Sequence, residues 1–579
     1  MPLRRAAALA IALVALTAPV GGQDPGQGEV SIIIDGADGR RVQVRAPRRT
    51  REPEATAVIR GRVFAGDTGV PLRRALVSAQ GGGRPVVAQT DADGRFEVRV
   101  PPGRWSLAAA KAGYVTLRLG QHRAFESVSP VELRPGQRMD NADFVLPRGA
   151  AIMGRVFDEV GDPVLDARVR VLRYQMVRGR KQLSSAGIAV TTDDRGVYRL
   201  YGLAPGEYYV SATAETRPLD RGDEQQMKYA PTYYPGSTDV VGAQRITVDV
   251  GDEQTNVNFS LLPVRTARVT GIVVDASGAP VGPGNVTLTT VFDVSDAGVP
   301  LGASTRLEAD GSFEIGDVVP GSYTLIARSR SRPQGGRGAA AQSIAYMPLV
   351  VPGDISDVVV TATGGATLSG TIAAAGGREP PRGNVRIVAQ PLSSAVGFGR
   401  LTANATTGGG GFTLEGLIGP VMLRADQVPQ GWMVERIEVN GTDVTDSYVE
   451  FRGTESALAR VVLTNEIPEI SGRVVADRSV GPGSAQPPAP GSRVVIFPAD
   501  PSKWRFPSRY VHAVRTDDTG AFTVRELPPY DRYLAVAVDY LEEDEAGDAD
   551  FLQAIRSSAT SFSLAGGESK VIELKLVKR

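Results

Sequence analysis

The chain has 579 residues, enough for several domains, and carries 64 basic against 64 acidic side chains, so its formal net charge is zero. Zero cysteines exclude disulfide scaffolds, thiolate metal sites and cysteine nucleophiles, two histidines exclude most histidine-based metal sites, and the balanced charge argues against a nucleic-acid partner. Gly at 67 and Pro at 40, with 3 Trp, 16 Tyr and 16 Phe, suit many short strands joined by tight turns.

Residues 1–22 read as a signal peptide. Arg4 and Arg5 form a positive start, residues 6–18 are an uncharged apolar run, and small residues lead to a cleavage point before Gln23. The run is shorter than the about 20 apolar residues of a spanning helix, so an exported chain without a transmembrane span is expected after cleavage. The expected location is the periplasm, the cell surface or the medium. Residues 30–34 and 41–45 flank a Gly-rich turn and predict a hairpin. A charged linker at 47–54 completes an N-terminal segment of 23–54.

A repeat of about one hundred residues follows. Gly-x-Val/Ile recurs at Gly61, Gly154, Gly271, Gly370 and Gly472, at steps of 93, 117, 99 and 102 residues. After it comes a Gly-x-Pro turn at Gly69, Gly161 and Gly278. An alternating strand is next, at 75–79, 167–172, 285–289, 384–388 and 492–497. An acidic turn ending in Gly and an aromatic follows at Asp93-Gly94-Arg95-Phe96, Asp194 to Tyr198, Asp310 to Phe313 and Asp518 to Phe522. Gly there supplies positive φ and Asp caps the turn. Then Pro-Gly-x-aromatic stands at Trp105, Tyr208 and Tyr323, with a Pro528-Pro529-Tyr530 variant before Tyr533. The closing strands fall within 131–146, 246–262, 349–361, 449–464 and 562–576. The fourth copy is degenerate, with Gly408 to Gly411 before Phe412 and no aromatic after Gly419-Pro420.

This pattern predicts an all-β protein of five tandem seven-stranded antiparallel β-sandwiches. Their expected bounds are 55–148, 149–263, 264–363, 364–465 and 466–579. The first copy carries Gly61-Arg62-Val63, Val70-Pro71-Leu72, Ala75-Leu76-Val77, Thr90-Asp91-Ala92-Asp93-Gly94-Arg95-Phe96 and Lys111-Ala112-Gly113-Tyr114. In this order the motifs resemble the carboxypeptidase regulatory-like domain, a transthyretin-like (prealbumin-like) sandwich. Tyr229 to Gly236 and Val439 to Asp446 look like multi-domain members from environmental bacteria. The resemblance implies a non-catalytic accessory module; it is specific for fold and weak for function.

Candidate chemistry is sparse. His122 and His512 lie in different repeats, and Glu126 stands one place too far from His122 for a His-x-x-Glu pair. His512 has Asp517 and Asp518 nearby but no nucleophile elbow accompanies it. Asp91-Ala92-Asp93-Gly94 resembles the start of a calcium loop but lacks the closing Glu. Glu542 to Glu545, with Asp548 and Asp550, reads as a solvated loop before a helix-like segment at 551–557. Arg221-Gly222-Asp223 reads as a chance tripeptide. No catalytic residue, metal site or cofactor is expected. Trp105 is expected in the core. The aromatic and basic cluster Trp504, Phe506 and Tyr510 is the best candidate ligand patch, with inter-domain packing as its other reading. Tyr229, Tyr233 and Tyr234 form a second patch that also suits an edge segment over the second repeat. Two functions remain: a non-catalytic exported binding and structural protein of the cell envelope, with an envelope protein or polysaccharide as partner, or a carbohydrate-binding protein using these aromatics.

Overall fold

The computed structural model describes residues 31–35, 41–45, 57–81, 84–177, 180–215, 227–290, 303–331, 341–391, 401–406, 411–476, 486–505 and 508–579. The signal peptide, the linker at 47–54, Phe506 and the Arg221-Gly222-Asp223 tripeptide lie outside them. Two units are distinct, 1–55 and 56–579. In the first, Ser31–Asp35 and Arg41–Arg45 pair as an antiparallel hairpin, as the alternating pattern predicts. Among the described residues no helix is long and apolar enough to cross a membrane.

The described residues of the second unit are mostly strand, with one short α-helix, Ala549–Ile555. Its first repeat shows the plan. The opening strand Ala57–Ala65 pairs antiparallel with Arg95–Val100 and parallel with Arg138–Met139 and Phe144–Leu146. A facing sheet joins Leu76–Gly81, Val86–Gln89, Gly103–Ala110, Leu117–Arg118 and Val131–Leu133. Alternate residues of both sheets meet in one core of Ile59, Val63, Val77, Phe96, Trp105 and Phe144 among others. Separate cores of the same plan form within residues 150–261, 267–362, 366–463 and 470–576.

One pairing differs from the antiparallel expectation. In every repeat the opening strand runs parallel to the closing one: Gly271 lies beside Val358, Gly370 beside Ala459 and Gly472 beside Ile572. The two strands sit at opposite ends of the repeat in sequence, so the chain circles both sheets before they meet. Parallel neighbours need such a long crossover. Their meeting explains the recurrent Gly-x-Val/Ile. A Cβ at Gly154 would stand 1.9 Å from the Val257 carbonyl oxygen, and one at Gly472 would stand 2.0 Å from that of Ile572. Backbone packs on backbone, and no side chain fits between.

Two polar devices recur. The acidic turn is an Asx cap: one Asp193 oxygen accepts the N–H of Arg195 at 3.0 Å and of Val197 at 2.8 Å, and Asp517 receives Thr519 and Ala521, each at 2.9 Å. These contacts hold both carboxyls below the usual carboxylate range, Asp193 mainly through the Val197 N–H and Asp517 mainly through the Thr519 hydroxyl. The preceding threonine is buried: Thr90 accepts the Ala75 N–H and donates to the Leu72 carbonyl, and Thr192 does the same for Ala167 and Val164. The buried aromatic after Pro-Gly satisfies its polar atom four residues back. Trp105 Nε1 donates to Pro101, Tyr208 Oη to Ala204 and Tyr323 Oη to Val319, at 2.5–2.8 Å. In the degenerate fourth copy Val421 holds that place, opposite Val449, and is buried without a polar atom to satisfy.

Replacing Gly154 by Ala drives a methyl into the closing strand. Overpacking of this kind costs about 1–3 kcal/mol. Hydrogen exchange of Ala150–Phe157 should quicken in the full chain while that of Gly321–Ser331 stays unchanged.

Candidate functional site

Of the predicted aromatic patches, Trp504, Tyr510 and Tyr229 are buried. Trp504 is only 4% exposed. Asp500 caps the short 3₁₀ turn Pro501–Trp504 and tips the indole onto Phe497 at 5.8 Å, where Nε1 donates to the Pro498 carbonyl at 2.7 Å. It belongs to a second core of the fifth repeat, with Val495, Leu534, Phe551 and Leu552. Tyr510 is buried against Tyr530 in the main core. Tyr229 is buried, with its hydroxyl on Glu159 at 2.5 Å. Tyr233 and Tyr234 are half-buried, and Thr232–Tyr233 adds to the sheet edge at Ser211 and Ala212. Apolar area drives these rings inward once a local carbonyl or carboxylate takes their polar atom. Sugar stacking on Trp504, Tyr510 or Tyr229 is therefore corrected.

The histidines stay apart. His512 Nε2 lies 3.1 Å from the Arg509 carbonyl, and burial pushes its pKa down. The exposed His122 has its backbone N–H on Glu126, in the first repeat. Among the described residues no three His, Asp or Glu side chains are grouped to hold a metal ion.

The structure instead gathers charge where the first, second and fifth repeats meet. Residues 125–127 of the first repeat run antiparallel to 541–543 of the fifth. Glu543 N donates to the Phe125 carbonyl at 2.9 Å and Ser127 N to that of Leu541 at 3.1 Å. Phe125 takes φ 65°, a costly value for an aromatic residue, and this turn aims the loop across. Arg493, 7% exposed, pairs at 3.3 Å with Glu126, 4% exposed, and also donates to the Ser127 carbonyl. Burial lowers the Arg493 pKa, Glu126 opposes the shift and the nearby charge of Arg515 adds to it. Arg173 of the second repeat sits 3.9 Å over the Phe125 ring, and its Nη2 donates to both carboxylate oxygens of Glu542 at 3.0 Å. Tyr540 donates to the Ala124 carbonyl at 2.7 Å, Arg118 pairs with Glu543 and Arg579 with Glu545.

The acid run expected as a solvated loop is thus the fifth repeat's docking edge. Its signal, four adjacent acids, is visible in sequence. Its partners, Arg118 and Arg173, lie more than 360 residues upstream. Arg493, at the head of an apolar strand, carries no sequence mark at all.

The fifth repeat also holds the fourth: Arg509 donates to the carbonyls of Val434 and Glu435, at 3.0 and 2.6 Å, and meets Asp446 at 3.3 Å. Between the first and second repeats only residues 147–149 separate Phe144–Leu146 from Ala150–Phe157.

Beside the buried pair lies a cleft of about 1170 Å³ between the first and fifth repeats. Arg123, Arg515, Lys575 and Lys578 line it together with Asp518 and Asp539. The Arg515 guanidinium lies between two glycine backbones, Gly120 of the first repeat and Gly491 of the fifth. A Cβ on either would stand 3.3 or 3.2 Å from its nitrogens.

Two outcomes follow from this geometry. Removing one member of a buried pair costs about 3–5 kcal/mol because the other is stranded. Glu126→Ala should therefore raise hydrogen exchange at both 123–127 and 541–545, and adding Arg493→Met should restore much of the protection. For His512 the folded state disfavours the proton, so the unfolded chain binds more of it. Its contribution is complete above the ordinary value of 6.5 and is lost as pH falls below that. A denaturation series from pH 7.5 to 5 should show the fifth repeat weakening, with a flatter profile in His512→Asn.

Comparison with known proteins places this architecture. Residues 58–147 match the carboxypeptidase regulatory-like domain. No curated protein matches the chain. Among solved structures, the TIE protein of Bacillus anthracis is 10% identical, with 73% of each chain covered and a TM-score of 0.15. A streptococcal ancillary pilin is 12% identical over 53% of this chain and 98% of its own, with a TM-score of 0.21. Two B repeat units of the Staphylococcus aureus collagen-binding protein are 11% identical over 70% and 98%, with a TM-score of 0.12. Scores this low carry no argument about function. The motif order read along the first repeat, its closed two-sheet core and the family match agree, and the chain contains a carboxypeptidase regulatory-like domain at residues 58–147.

Proposed function

We propose that the protein is an exported, non-catalytic structural and binding protein of the cell envelope. In this reading, five sandwich domains at 55–148, 149–263, 264–363, 364–465 and 466–579 follow a signal peptide at 1–22 and a segment at 23–54. The observation that carries it is the interlock of the first, second and fifth repeats through Glu126–Arg493 and Arg173–Glu542. A buried ion pair contributes little net stability and much geometric definition. Charged side chains in these loops are engaged in fixing one repeat against another. Interlocked repeats hold their loop surfaces at set distances, so several weak contacts to an envelope protein or polysaccharide add through effective concentration.

The test is fractionation of the source bacterium with protease treatment of intact cells. The protein is expected in the envelope or medium with Gln23 as its first residue. A cytoplasmic protein that retains Met1 would overturn the reading.

A further inference from the structure

We infer that the cleft between the first and fifth repeats binds a carboxylate-bearing polysaccharide. The inference deepens the binding reading above and rests on it for the source of that polymer. Four observations carry it. The cleft is built, since its walls belong to two repeats locked by a buried ion pair and by backbone hydrogen bonds. Its volume of about 1170 Å³ exceeds the usual small-ligand range of about 300–1000 Å³, and suits a stretch of polymer.

Its charge is also unbalanced. Glu126 is neutralised by Arg493, and Asp539 meets Arg123 at 3.4 Å and the Arg579 N–H at 2.9 Å. Arg515, Lys575 and Lys578 have no acceptor among the described residues. Arg515 stands close enough to the buried Arg493 to disfavour its charge. One Arg493 nitrogen, Nε, is buried and also lacks an acceptor. Arg493 and Arg515 face each other across paired strands of the fifth repeat, and Glu126 answers the charge of Arg493 alone.

Finally, the lining mixes those cations with the carboxylates Asp518 and Asp539. A uronate chain offers both counterparts, carboxylates for the bases and hydroxyls that donate to the acids. An acidic peptide offers the same charge with fewer donors than the ring hydroxyls of a uronate, and a free phosphate has no length with which to span both walls. Arg515, Lys575 and Asp518 are exposed, so single spaced contacts with a solvated polymer are the fitting mode.

Binding of polygalacturonate to the purified full chain, by calorimetry at low salt, tests this. Dextran, poly-glutamate and inorganic phosphate are run beside it. Polygalacturonate should bind and dextran should not, and affinity should fall steeply with salt. Arg515→Glu and Lys575→Glu, both at exposed positions, should each weaken it by about tenfold or more. Arg306→Glu, on the third repeat, should leave it unchanged. Absence of polygalacturonate binding, or binding indifferent to both cleft variants, would overturn the inference. Tighter binding of poly-glutamate would replace the polysaccharide by an acidic protein, and equal binding of phosphate alone would reduce the cleft to a simple anion site. These assays do not depend on export, so a cytoplasmic location would sink the envelope reading and leave the cleft result standing.

Discussion

Each repeat closes because its last strand lies parallel to its first, at a separation that excludes any side chain. The glycine of Gly-x-Val/Ile is the price of that contact: at Gly61, Gly154, Gly271 and Gly472 a Cβ would meet a carbonyl oxygen at 1.9–2.2 Å. Once the two ends of a repeat are joined this way, the facing sheet can only lie across them. The buried threonine and the back-bonded aromatic then fix its two edges. All three devices act within a single repeat, which is why they recur at a nearly constant interval. The fourth copy loses its aromatic and keeps its core, because Val421 fills the position without needing a polar partner.

The contacts between repeats obey different physics. Burying Glu126 and Arg493 removes two hydration shells, and their attraction offsets that cost only with good geometry and further hydrogen bonds. The Ser127 carbonyl supplies one such bond to Arg493, and His122 and Arg123 present backbone N–H groups to Glu126. An apolar interface of equal size would be at least as stable. It would also tolerate sliding. Paired charges and an antiparallel backbone bridge permit a single register between residues 125–127 and 541–543. Such an interface suits a molecule in which relative position matters more than the strength of any one joint.

The fold was legible in sequence because its determinants are short-range. Asp-x-x-Gly-x-aromatic, Pro-Gly-x-aromatic and alternating strands each announce a turn or a half-buried face within ten residues. The parallel pairing of first and last strands was not legible, since two strands a hundred residues apart carry no mark of direction. The aromatic clusters misled for a definable reason. Trp504 and Tyr510 stand among bases in sequence, as binding residues do, but Trp504 turns back to the Pro498 carbonyl and Tyr510 packs on Tyr530. The acid run at Glu542 to Glu545 misled in the opposite sense: it reads as solvated until Arg118, Arg173 and Arg579 are brought to it by the tertiary fold.

The joint and the cleft are two consequences of one arrangement. Strand pairing within the fifth repeat sets Arg493 opposite Arg515, and docking of the first repeat brings a single carboxylate, Glu126, to Arg493. A second internal acid facing Arg515 would have completed the neutralisation and closed the cleft. Instead Arg515 lies between Gly120 and Gly491, where the missing side chains leave its guanidinium uncovered. Geometry that was required to join the repeats thus leaves one cation of the joint available to an external anion. A ligand seated there would touch both repeats at once, so its binding and the docking of the first repeat on the fifth would reinforce each other.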